Sequence, residues 1–272
     1  MDEDAKQATP LPAAIIVPAR LGSTRFPRKL LFPIRGKPLI LWTAERLRAV
    51  APAWPLFFAV AERELAEVLE THGYTVLLTT KTLSSGTERV AEANRQIRAE
   101  IVINVQADEP LVTGEQVQLL YKEIEQPGVM MATLATPLHQ MEDFHDSNQV
   151  KVVWDQRGRA LYFSRAPIPQ VRVGGATGPA EASRPLGYRH LGMYAYTANF
   201  LEQFCHLPPG RYECCECLEQ LRALEHGFPV AVGVVKAAGV GIDVPEDIAL
   251  LERFINADKE DTVGLGRRGL LA

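Results

Sequence analysis

The chain is poor in cysteine and lacks long hydrophobic runs. Only 4 of its 272 residues are cysteine, and three of these are crowded at Cys214, Cys215 and Cys217. This pattern gives no disulfide framework and favours a reducing cytoplasm. No apolar run approaches the roughly 18 to 20 residues of a membrane span, and residues 1–12 lack the apolar centre of a signal peptide. We therefore expect a cytoplasmic protein with no membrane partner.

An excess of positive charge is also absent. The 29 basic and 33 acidic residues leave a formal net charge of -4, so no face is obliged to be basic, which argues against a general nucleic-acid binder. No Gly-x-Gly-x-x-Gly follows the first apolar strand, which argues against a dinucleotide oxidoreductase. A hydrophobic content of 47% is ordinary for a globular protein with a full core.

Apolar strands and helix signals alternate through the first half of the chain. Strands are predicted at 14–17, 56–60, 75–78, 101–105 and 130–136, and helices at 38–50, 62–71, 86–98 and 114–124. This rhythm predicts an α/β fold with three αβα layers, a Rossmann-like arrangement with a mostly parallel sheet.

The second half changes character and predicts a smaller inserted β/loop subregion. The predicted elements are a hairpin of 150–154 and 160–163, a Pro- and Gly-rich loop at 168–185, a strand at 189–196, helices at 197–205 and 212–226, a strand at 229–235 and a helix at 245–255. We expect one domain at 13–256, with a nucleotide-binding half at about 13–136 and the subregion at about 150–228. Residues 1–12 and 257–272 are expected to be flexible tails.

A basic loop follows the first predicted strand. Four cations, Arg20, Arg25, Arg28 and Lys29, fall within ten residues among Gly, Ser, Thr and Pro. Open α/β sheets bind ligands at the carboxyl ends of their strands, and clustered cations there suit a polyanion such as a nucleoside triphosphate. A solvated basic loop is the alternative.

Two aspartates also follow apolar strands. Asp108 comes just after the strand at 101–105, and Asp243 comes after the strand at 229–235. Because Mg²⁺ takes one or two protein carboxylates, the pair is suited to hold it beside phosphates. Asp243 is equally suited to cap the following helix, and Asp108 to be a plain turn acid.

The helix at 86–98 opens with Ser85-Gly86-Thr87-Glu88-Arg89. Ser85 and Glu88 fit a capping box, which needs no ligand. Gly86 permits close approach of a ligand to the backbone, and helix N-terminal amides accept anions or base edges. We interpret 85–87 as a nucleotide-facing turn.

These segments resemble the 3-deoxy-manno-octulosonate cytidylyltransferase (CMP-Kdo synthetase) family. The similarity runs in order from about residue 14 to 254 and rests on Pro18-Ala19-Arg20 through Arg25-Phe26-Pro27-x-Lys29, Ser85-Gly86-Thr87-Glu88-Arg89, Val105-Gln106-x-Asp108-Glu109-Pro110, Ala160-Leu161-Tyr162-Phe163-Ser164-Arg165, Arg189-His190-Leu191-Gly192, Leu218-Glu219-Gln220-Leu221-Arg222 and Asp243-x-Pro245-Glu246-Asp247. Seven blocks in family order are far more specific than a basic loop alone.

The resemblance implies roles for individual positions. The implied catalytic residues are Arg20, Lys29 and Asp108. The implied nucleotide-binding residues are Ala19, Arg20, Ser23, Lys29, Ser85, Gly86, Thr87, Arg89 and Gln106. Asp108 and Asp243 are the implied Mg²⁺ ligands. The implied sugar-binding residues are Arg165, His190, Glu219 and Gln220, with Arg165 facing the sugar carboxylate.

Two of these residues have structural alternatives. His190 is also expected as a satisfied core histidine. Glu219 is also expected as an exposed helix residue paired with Arg222 three positions on.

The implied reaction joins CTP to 3-deoxy-D-manno-octulosonate (Kdo), giving CMP-Kdo and pyrophosphate for lipopolysaccharide biosynthesis. The resemblance also implies a homodimer with contacts around 189–196. Alternatives are a cytidylyltransferase for another acidic sugar, of the 8-amino-Kdo or sialic-acid type, and a nucleotide-sensing relative without catalysis.

The chain departs from the family pattern at a few positions. Ala107 stands where the family usually has Gly, Arg28 replaces a Gly before Lys29, and Leu83 replaces a frequent His. The cysteine cluster at 214–217 is a further departure. Because its members point in different directions on a helix, we expect small buried apolar side chains there rather than a metal site.

Overall fold

A computed structural model of the chain describes residues 10–22, 26–83, 85–170, 185–236, 239, 241–242 and 244–256. The strands are β1 (Leu11–Ala19), β2 (Pro33–Ile34), β3 (Lys37–Pro38), β4 (Leu56–Val60), β5 (Thr75–Leu78), β6 (Ala99–Asn104), β7 (Met131–Leu138), β8 (Lys151–Trp154), β9 (Ala160–Ser164), β10 (Gly187–Thr197) and β11 (Val230–Val234). The helices are α1 (Leu39–Val50), α2 (Arg63–Thr71), α3 (Gly86–Ile97), α4 (Gly114–Ile124), α5 (Met141–His145), α6 (Ala198–His206), α7 (Arg211–Glu216) and α8 (Leu221–Glu225). Residues 248–256 are also helical.

The main sheet has the strand order β11-β7-β10-β6-β1-β4-β5. β1 is parallel to both β4 and β6, β4 is parallel to β5, and β7 is parallel to β11. β10 runs antiparallel between β6 and β7. The predicted α/β fold with a mostly parallel sheet is confirmed.

Successive residues of β1 belong to two different hydrophobic cores. Ile15 and Val17 pack in the core that contains α1, α2 and α4, whereas Ala14 and Ile16 pack in the core that contains α3 and α6. Because strand side chains alternate between the faces of a sheet, a strand covered by helices on both faces is apolar at every position. This is why the run at 14–17 could be recognised as a central strand.

The inserted subregion contains the predicted hairpin. β8 and β9 pair antiparallel and join the main sheet through β10. Their turn is held by the Asp155 carboxylate, whose Oδ1 accepts from the backbone N–H groups of Arg157 and Arg159 at 2.8 and 2.9 Å. Gly158 has a φ of 74°, which a residue with a side chain rarely adopts.

The single helix predicted at 212–226 is wrong. α7 ends at Glu216, and Cys217 takes a left-handed φ of 53°. The Leu218 N–H then donates to the Glu213 carbonyl at 3.2 Å, which is how a helix terminates in a Schellman motif. No glycine or proline marks this break, so composition carried no signal for it.

The prediction that the clustered cysteines are buried is also wrong. Cys214, Cys215 and Cys217 are all exposed. The inner position of α7 is taken by Glu213, which is 9% exposed and accepts from the Arg222 guanidinium. The helix therefore turns a buried ion pair inward and leaves its thiols outside.

The limits of the described residues bear on other expectations. β1 begins at Leu11, so residues 11 and 12 belong to the strand rather than to a tail. The predicted loop at 168–185 falls largely outside the described residues, as does the predicted tail at 257–272. Among the helices of the described ranges, none is long and apolar enough to cross a membrane.

Candidate active site

Three predicted nucleotide-binding segments meet at the carboxyl edge of the sheet. A methyl group placed on Gly86 would lie 3.5 Å from Pro18 Cγ and 3.7 Å from Gln106 Oε1. Pro18 lies within β1 just before Ala19 and Arg20, Gln106 follows β6, and Gly86 is the first residue of α3. Gln106 Nε2 donates to Asn104 Oδ1 at 3.1 Å, which orients the amide group.

The basic loop also reaches this edge. Lys29 Nζ donates to Asp108 Oδ2 at 2.5 Å and to the Ile242 carbonyl at 2.9 Å. The Ile242 N–H in turn donates to the Asp108 carbonyl at 2.9 Å. Both charged side chains are largely enclosed, at 12% exposed for Lys29 and 27% for Asp108. The predicted cation and the predicted acid are therefore direct partners.

The loop that carries Asp108 is held by a hydrogen bond from α1. The Thr43 hydroxyl donates to the Ala107 carbonyl at 2.8 Å, and Ala107 is 3% exposed. The methyl group that distinguishes Ala107 from glycine is therefore turned into the core.

Two predicted residues of this region, Ser23 and Asp243, lie outside the described residues. Asp243 follows Ile242, which contacts Lys29 and Asp108 as above. The N-cap position of the turn at Pro245–Asp247 is Val244, whose N–H donates to Asp247 Oδ2 at 2.9 Å.

The start of α3 combines a helix cap with a side-chain contact to a distant segment. Ser85 Oγ accepts from the Glu88 N–H at 3.1 Å, and Glu88 Oε2 accepts from the Ser85 N–H at 3.3 Å. This confirms the capping box. Thr87, two residues into the turn, points elsewhere and donates to Glu219 Oε2 at 2.5 Å.

Arg89 belongs to the scaffold of this edge. It is 2% exposed, and its Nη1 donates to Thr79 Oγ1 at 2.5 Å and to the Thr80 carbonyl at 3.3 Å. Burial lowers the pKa of Arg89, the Glu62 carboxylate opposes this shift, and the charge of Arg20 adds to it. Arg20 itself is exposed at the end of β1, close enough to Arg89 for the two charges to interact.

The predicted sugar-binding residues come from the second half of the chain. His190, on β10, is 9% exposed and its Nε2 lies 2.9 Å from Thr133 Oγ1. The Thr133 hydroxyl lies 2.8 Å from the Met193 carbonyl, to which it can donate, so the imidazole Nε2–H is the donor to Thr133. Burial lowers the pKa of His190 to about 3, so the ring is neutral at physiological pH.

The Arg165 guanidinium is held by three backbone carbonyls, two at the end of α7 and one at Ser147. Its Nε donates to the Glu216 carbonyl at 2.7 Å, Nη2 to the Cys217 carbonyl at 3.5 Å, and Nη1 to the Ser147 carbonyl at 3.1 Å. The Arg165 N–H donates to Glu216 Oε2 at 2.9 Å. The orientation of this arginine therefore depends on residues 216 and 217.

Glu219 and Gln220 follow the same turn. Glu219 accepts from Thr87 and lies 3.8 Å from Arg222, so both the predicted pairing and a contact with α3 are present. Its negative charge raises the pKa of Tyr196, although burial is the larger cause. Gln220 is 4% exposed, and its Nε2 has no hydrogen-bond partner among the described residues.

Sequence reasoning missed Lys151 and Glu216. Lys151 is fully buried on β8, and its Nζ donates to the Asp146 and Arg165 carbonyls at 2.8 and 2.7 Å. Glu216 Oε1 accepts from the Ser164 hydroxyl at 2.7 Å. A lysine inside an apolar strand was a usable signal for Lys151, because a buried cation needs partners. Glu216 lies among the cysteines, and no sequence signal marked it as part of the site.

Two groups of residues differ in the ligand predicted for them, and Pro18 joins the first group because it lies against Gly86. The nucleotide end comprises Pro18, Arg20, Lys29, Gly86, Gln106 and Asp108. The sugar end comprises Arg165, His190, Glu219 and Gln220. The contact of Thr87 with Glu219 joins them, since Thr87 lies beside Gly86 and Glu219 beside Gln220.

A parallel sheet with a basic loop and an acid at its carboxyl edge is an architecture of nucleotide-binding enzymes. A family model described as cytidylyltransferase matches residues 14–237 of this chain. The chain therefore belongs to the cytidylyltransferase family, whose members are nucleotidyltransferases.

Relatives narrow the assignment to one group of this family. The 3-deoxy-manno-octulosonate cytidylyltransferase of Anaeromyxobacter sp. (strain Fw109-5) is 45% identical over 237 residues, which cover 86% of this chain and 93% of the relative. The enzyme of the same name from Syntrophobacter fumaroxidans is 44% identical over 253 residues, covering 92% and 98%. The resemblance to the 3-deoxy-manno-octulosonate cytidylyltransferases is confirmed.

A solved structure shares the fold. The structure of CMP:2-keto-3-deoxy-manno-octonic acid synthetase complexed with CTP is 33% identical, with a TM-score of 0.81, and the match covers 90% of this chain and 99% of that one. A cytidylyltransferase from Leptospira borgpetersenii, at 16% identity and a TM-score of 0.55, shares the fold alone.

Proposed function

We propose that this protein transfers the cytidylyl group of CTP to Kdo, giving CMP-Kdo, the activated sugar for lipopolysaccharide synthesis, and pyrophosphate. The observation that carries the proposal is the convergence of Lys29 and Asp108 beside the contact of Pro18, Gly86 and Gln106. This convergence places a cation, a carboxylate and the N-terminus of α3 at one edge of the sheet. The names of the relatives and of the solved structure support the choice of CTP and of this sugar.

The triphosphate is assigned to Arg20 and Lys29. The Lys29 ammonium group carries three N–H donors, and the contacts with Asp108 and the Ile242 carbonyl hold it at the sheet edge. The Arg20 guanidinium presents paired donors suited to phosphate oxygens. Both cations offset the charge on the leaving pyrophosphate.

The cytosine and ribose are assigned to the turn at 85–87 and to Gln106, with Ala19 and Ser23 on the β1 side. Gln106 carries donors and an acceptor that match a base edge, and its bond to Asn104 fixes which way they point. Gly86 leaves space for the nucleotide against the backbone. Arg89 supports this turn from within the fold.

Mg²⁺ is proposed as the metal, with Asp108 and Asp243 as its ligands. The donor chemistry fits, because carboxylate oxygens are the ligands Mg²⁺ takes and one or two suffice. When bound, Mg²⁺ offsets the negative charge that builds up on the phosphate oxygens.

The sugar is assigned to the sugar end. Arg165 supplies the positive charge for the sugar carboxylate. Its backbone is held by Lys151, which donates to the Arg165 carbonyl, and by Glu216, which accepts from the Arg165 N–H. The buried Gln220 Nε2, which has no hydrogen-bond partner among the residues that the structure describes, is suited to a hydroxyl group of the sugar. His190 is neutral and therefore contributes hydrogen bonding rather than charge.

In the proposed reaction the anomeric 2-hydroxyl of the sugar attacks the α-phosphorus of CTP and pyrophosphate leaves. Transfer of this kind depends mainly on positioning and charge stabilisation. Holding both reactants in line can supply about 7 to 11 kcal/mol of the barrier in favourable cases. The two ends of the site serve this purpose, because each holds one reactant. A homodimer and a cytoplasmic location are part of the proposal.

The test is pyrophosphate release from CTP, Mg²⁺ and Kdo by the purified full chain. Release with Kdo and CTP, and none with ATP, GTP or UTP, is expected. 8-Amino-Kdo and sialic acid serve as competing sugars, and faster turnover with either would replace Kdo in the proposal. Tight CTP binding without pyrophosphate release across all acidic sugars would contradict catalysis and favour a nucleotide sensor.

A further inference from the structure

The cysteines at 214–217 are a cluster that the proposed reaction does not use. Cys214, Cys215 and Cys217 are free and exposed. Cys205 differs from them because it is partly buried, and burial raises the pKa of its thiol to about 12. Since the thiolate is the reactive form, the exposed cluster is where thiol chemistry on this surface is favoured.

Two of the three thiols lie at the spacing of a dithiol pair. Cys214 is on α7 and Cys217 is the left-handed C-cap that ends this helix, so the two are three positions apart in sequence. Cys217 Sγ lies 3.7 Å from the Cys214 carbonyl, so this side chain folds back over the turn toward Cys214. Neighbours three apart on a helix have Cβ atoms about 5–6 Å apart, whereas a disulfide needs about 3.5–4.5 Å. Closing the pair therefore requires a small movement of the turn.

The turn that must move is the one that holds Arg165. The Glu216 carbonyl, which accepts from Arg165 Nε, lies inside the ring that the disulfide would close, and the Cys217 carbonyl, which accepts from Nη2, directly follows it. Glu216 also accepts from the Arg165 N–H through its side chain. Oxidation at the surface is thus linked to the sugar end through residues in direct contact.

We propose that Cys214 and Cys217 are a redox modification site and form a reversible disulfide with each other. The oxidant is a small-molecule disulfide such as oxidised glutathione, and formation of the bond displaces Arg165. One cysteine thiolate attacks the oxidant, giving a mixed disulfide and releasing one thiol. The second cysteine thiolate attacks the mixed disulfide, forming the bond between the two cysteines and releasing the second thiol. The two protein thiols are oxidised and one oxidant molecule is reduced to two thiols.

The first test is the intact mass of the reduced full chain after incubation with oxidised glutathione. The wild type is expected to lose the mass of two hydrogen atoms and to carry at most one glutathione adduct, on Cys215. Cys215→Ser, the matched control, is expected to show the same loss with no adduct. Cys214→Ser and Cys217→Ser are expected to retain a glutathione adduct instead. Adducts alone on the wild type, or the same loss of mass in Cys217→Ser, would overturn the pair.

The second test follows the link to Arg165 by hydrogen exchange of the peptide that covers 160–166. Oxidation of the wild type is expected to speed exchange at the Arg165 amide, with no change in Cys217→Ser or in the β1 peptide. Unchanged exchange in a chain that carries the disulfide would overturn the displacement. These two readouts do not depend on catalysis.

A kinetic consequence rests on the proposed function. Oxidation is expected to raise the KM for the sugar roughly fivefold, the effect of losing about one hydrogen bond, while the KM for CTP stays constant. An inactive reduced chain would count against the proposed function but would leave the mass and exchange results intact. An equal rise in both KM values would contradict a local effect on Arg165.

Discussion

At the nucleotide end of the site, functional side chains follow directly from the ends of regular elements, whereas at the sugar end they are held by a turn that is distant in sequence. Gln106 comes two residues after β6, and Gly86 is the first residue of α3. Arg165 instead depends on the carbonyls of Glu216 and Cys217, 51 and 52 positions away. A site built on strand ends inherits its geometry from the sheet, while one built on a turn must be stabilised by added contacts.

The two ends of the site also differ in their electrostatics. Lys29 and Asp108 form an ion pair at the sheet edge. At the sugar end, burial removes charge from His190 and lowers the pKa of Lys151. These charges fit the proposal that the nucleotide end binds a highly charged ligand and that the sugar end binds a ligand through hydrogen bonds and one arginine.

The largest effect is expected at the nucleotide end, from Asp108→Asn. Loss of this carboxylate removes a proposed Mg²⁺ ligand and the negative charge that faces Lys29, so kcat should fall roughly a hundredfold to a thousandfold. The melting temperature should stay near that of the wild type, because asparagine matches aspartate in size and its Oδ1 can still accept from Lys29. Steady-state pyrophosphate release measures the effect, with the exposed Glu67→Gln as the control. Turnover near the wild-type rate would remove Asp108 from the mechanism.

The next effect separates the two ends, using Glu216→Gln. Its carboxylate accepts from Ser164 and from the Arg165 N–H, and hydrogen bonds to charged groups contribute about 1.5–3 kcal/mol. The KM for the sugar should rise roughly tenfold or more, with the KM for CTP unchanged. Glu202→Gln, which breaks an exposed ion pair with Arg95, is the matched control. A rise in the KM for CTP alone would show that the ends are not separate.

A third prediction uses pH to test the packed character of the sugar end. The pKa of His190 is about 3 in the folded chain and about 6.5 when unfolded, so the unfolded chain binds a proton that the folded chain refuses. The stabilising contribution is therefore complete above pH 6.5 and decreases as the pH falls toward 3. Between pH 7 and pH 5 the loss should be about 2 kcal/mol of the free energy of unfolding.

The matched variant for this prediction is His190→Gln, in which an amide N–H replaces the imidazole N–H as donor and which cannot titrate. Urea unfolding at both pH values should show a smaller decrease for the variant than for the wild type by that amount. An equal decrease in the two proteins would place the pH dependence on other groups.

The smallest effect compares two glycines with the same local setting. Gly86 and Gly114 each open a helix after a capping-box residue. A methyl group on Gly86 meets only ordinary contacts, at 3.5 Å or more, whereas one on Gly114 would lie 2.7 Å from the Val50 carbonyl oxygen. Gly86→Ala should therefore weaken CTP binding roughly tenfold without loss of stability, because the methyl fills space meant for the nucleotide.

Gly114→Ala should do the opposite, lowering the melting temperature and leaving CTP affinity unchanged. Calorimetric titration and thermal unfolding of both variants distinguish the two effects. Equal CTP affinity of wild type and Gly86→Ala would show that the nucleotide does not approach this turn.

The contrast between the ends also explains what the sequence could predict. The apolar run at 14–17 and the Ser85 capping box are local signals, and the elements they predict are confirmed. The break at Cys217 depends on the buried pair of Glu213 and Arg222, which forms between residues nine positions apart and leaves no local pattern. Helix propensity alone therefore joined α7 and α8 and placed the cysteines wrongly.

The contacts of the site follow the same rule. Parallel strands whose carboxyl ends share one edge made the meeting of Gln106 with the β1 side predictable. The support of Arg165 by Lys151 and by carbonyls of the α7 turn was not predictable, because backbone acceptors carry no residue-type signal. The burial of Arg89 was also missed, since its partners Thr79 and Thr80 lie on a separate strand end.

The account depends most on each end binding its own reactant, and equilibrium binding of CTP in the presence of Mg²⁺ tests this most directly. Lys29→Met should weaken CTP binding roughly tenfold or more, because a charge-assisted contact to phosphate is lost, whereas Arg165→Met should bind CTP as the wild type does. Lys122→Met, on the exposed face of α4, is the charge-matched control. Wild-type CTP affinity in Lys29→Met, together with a large loss in Arg165→Met, would contradict the division of the site.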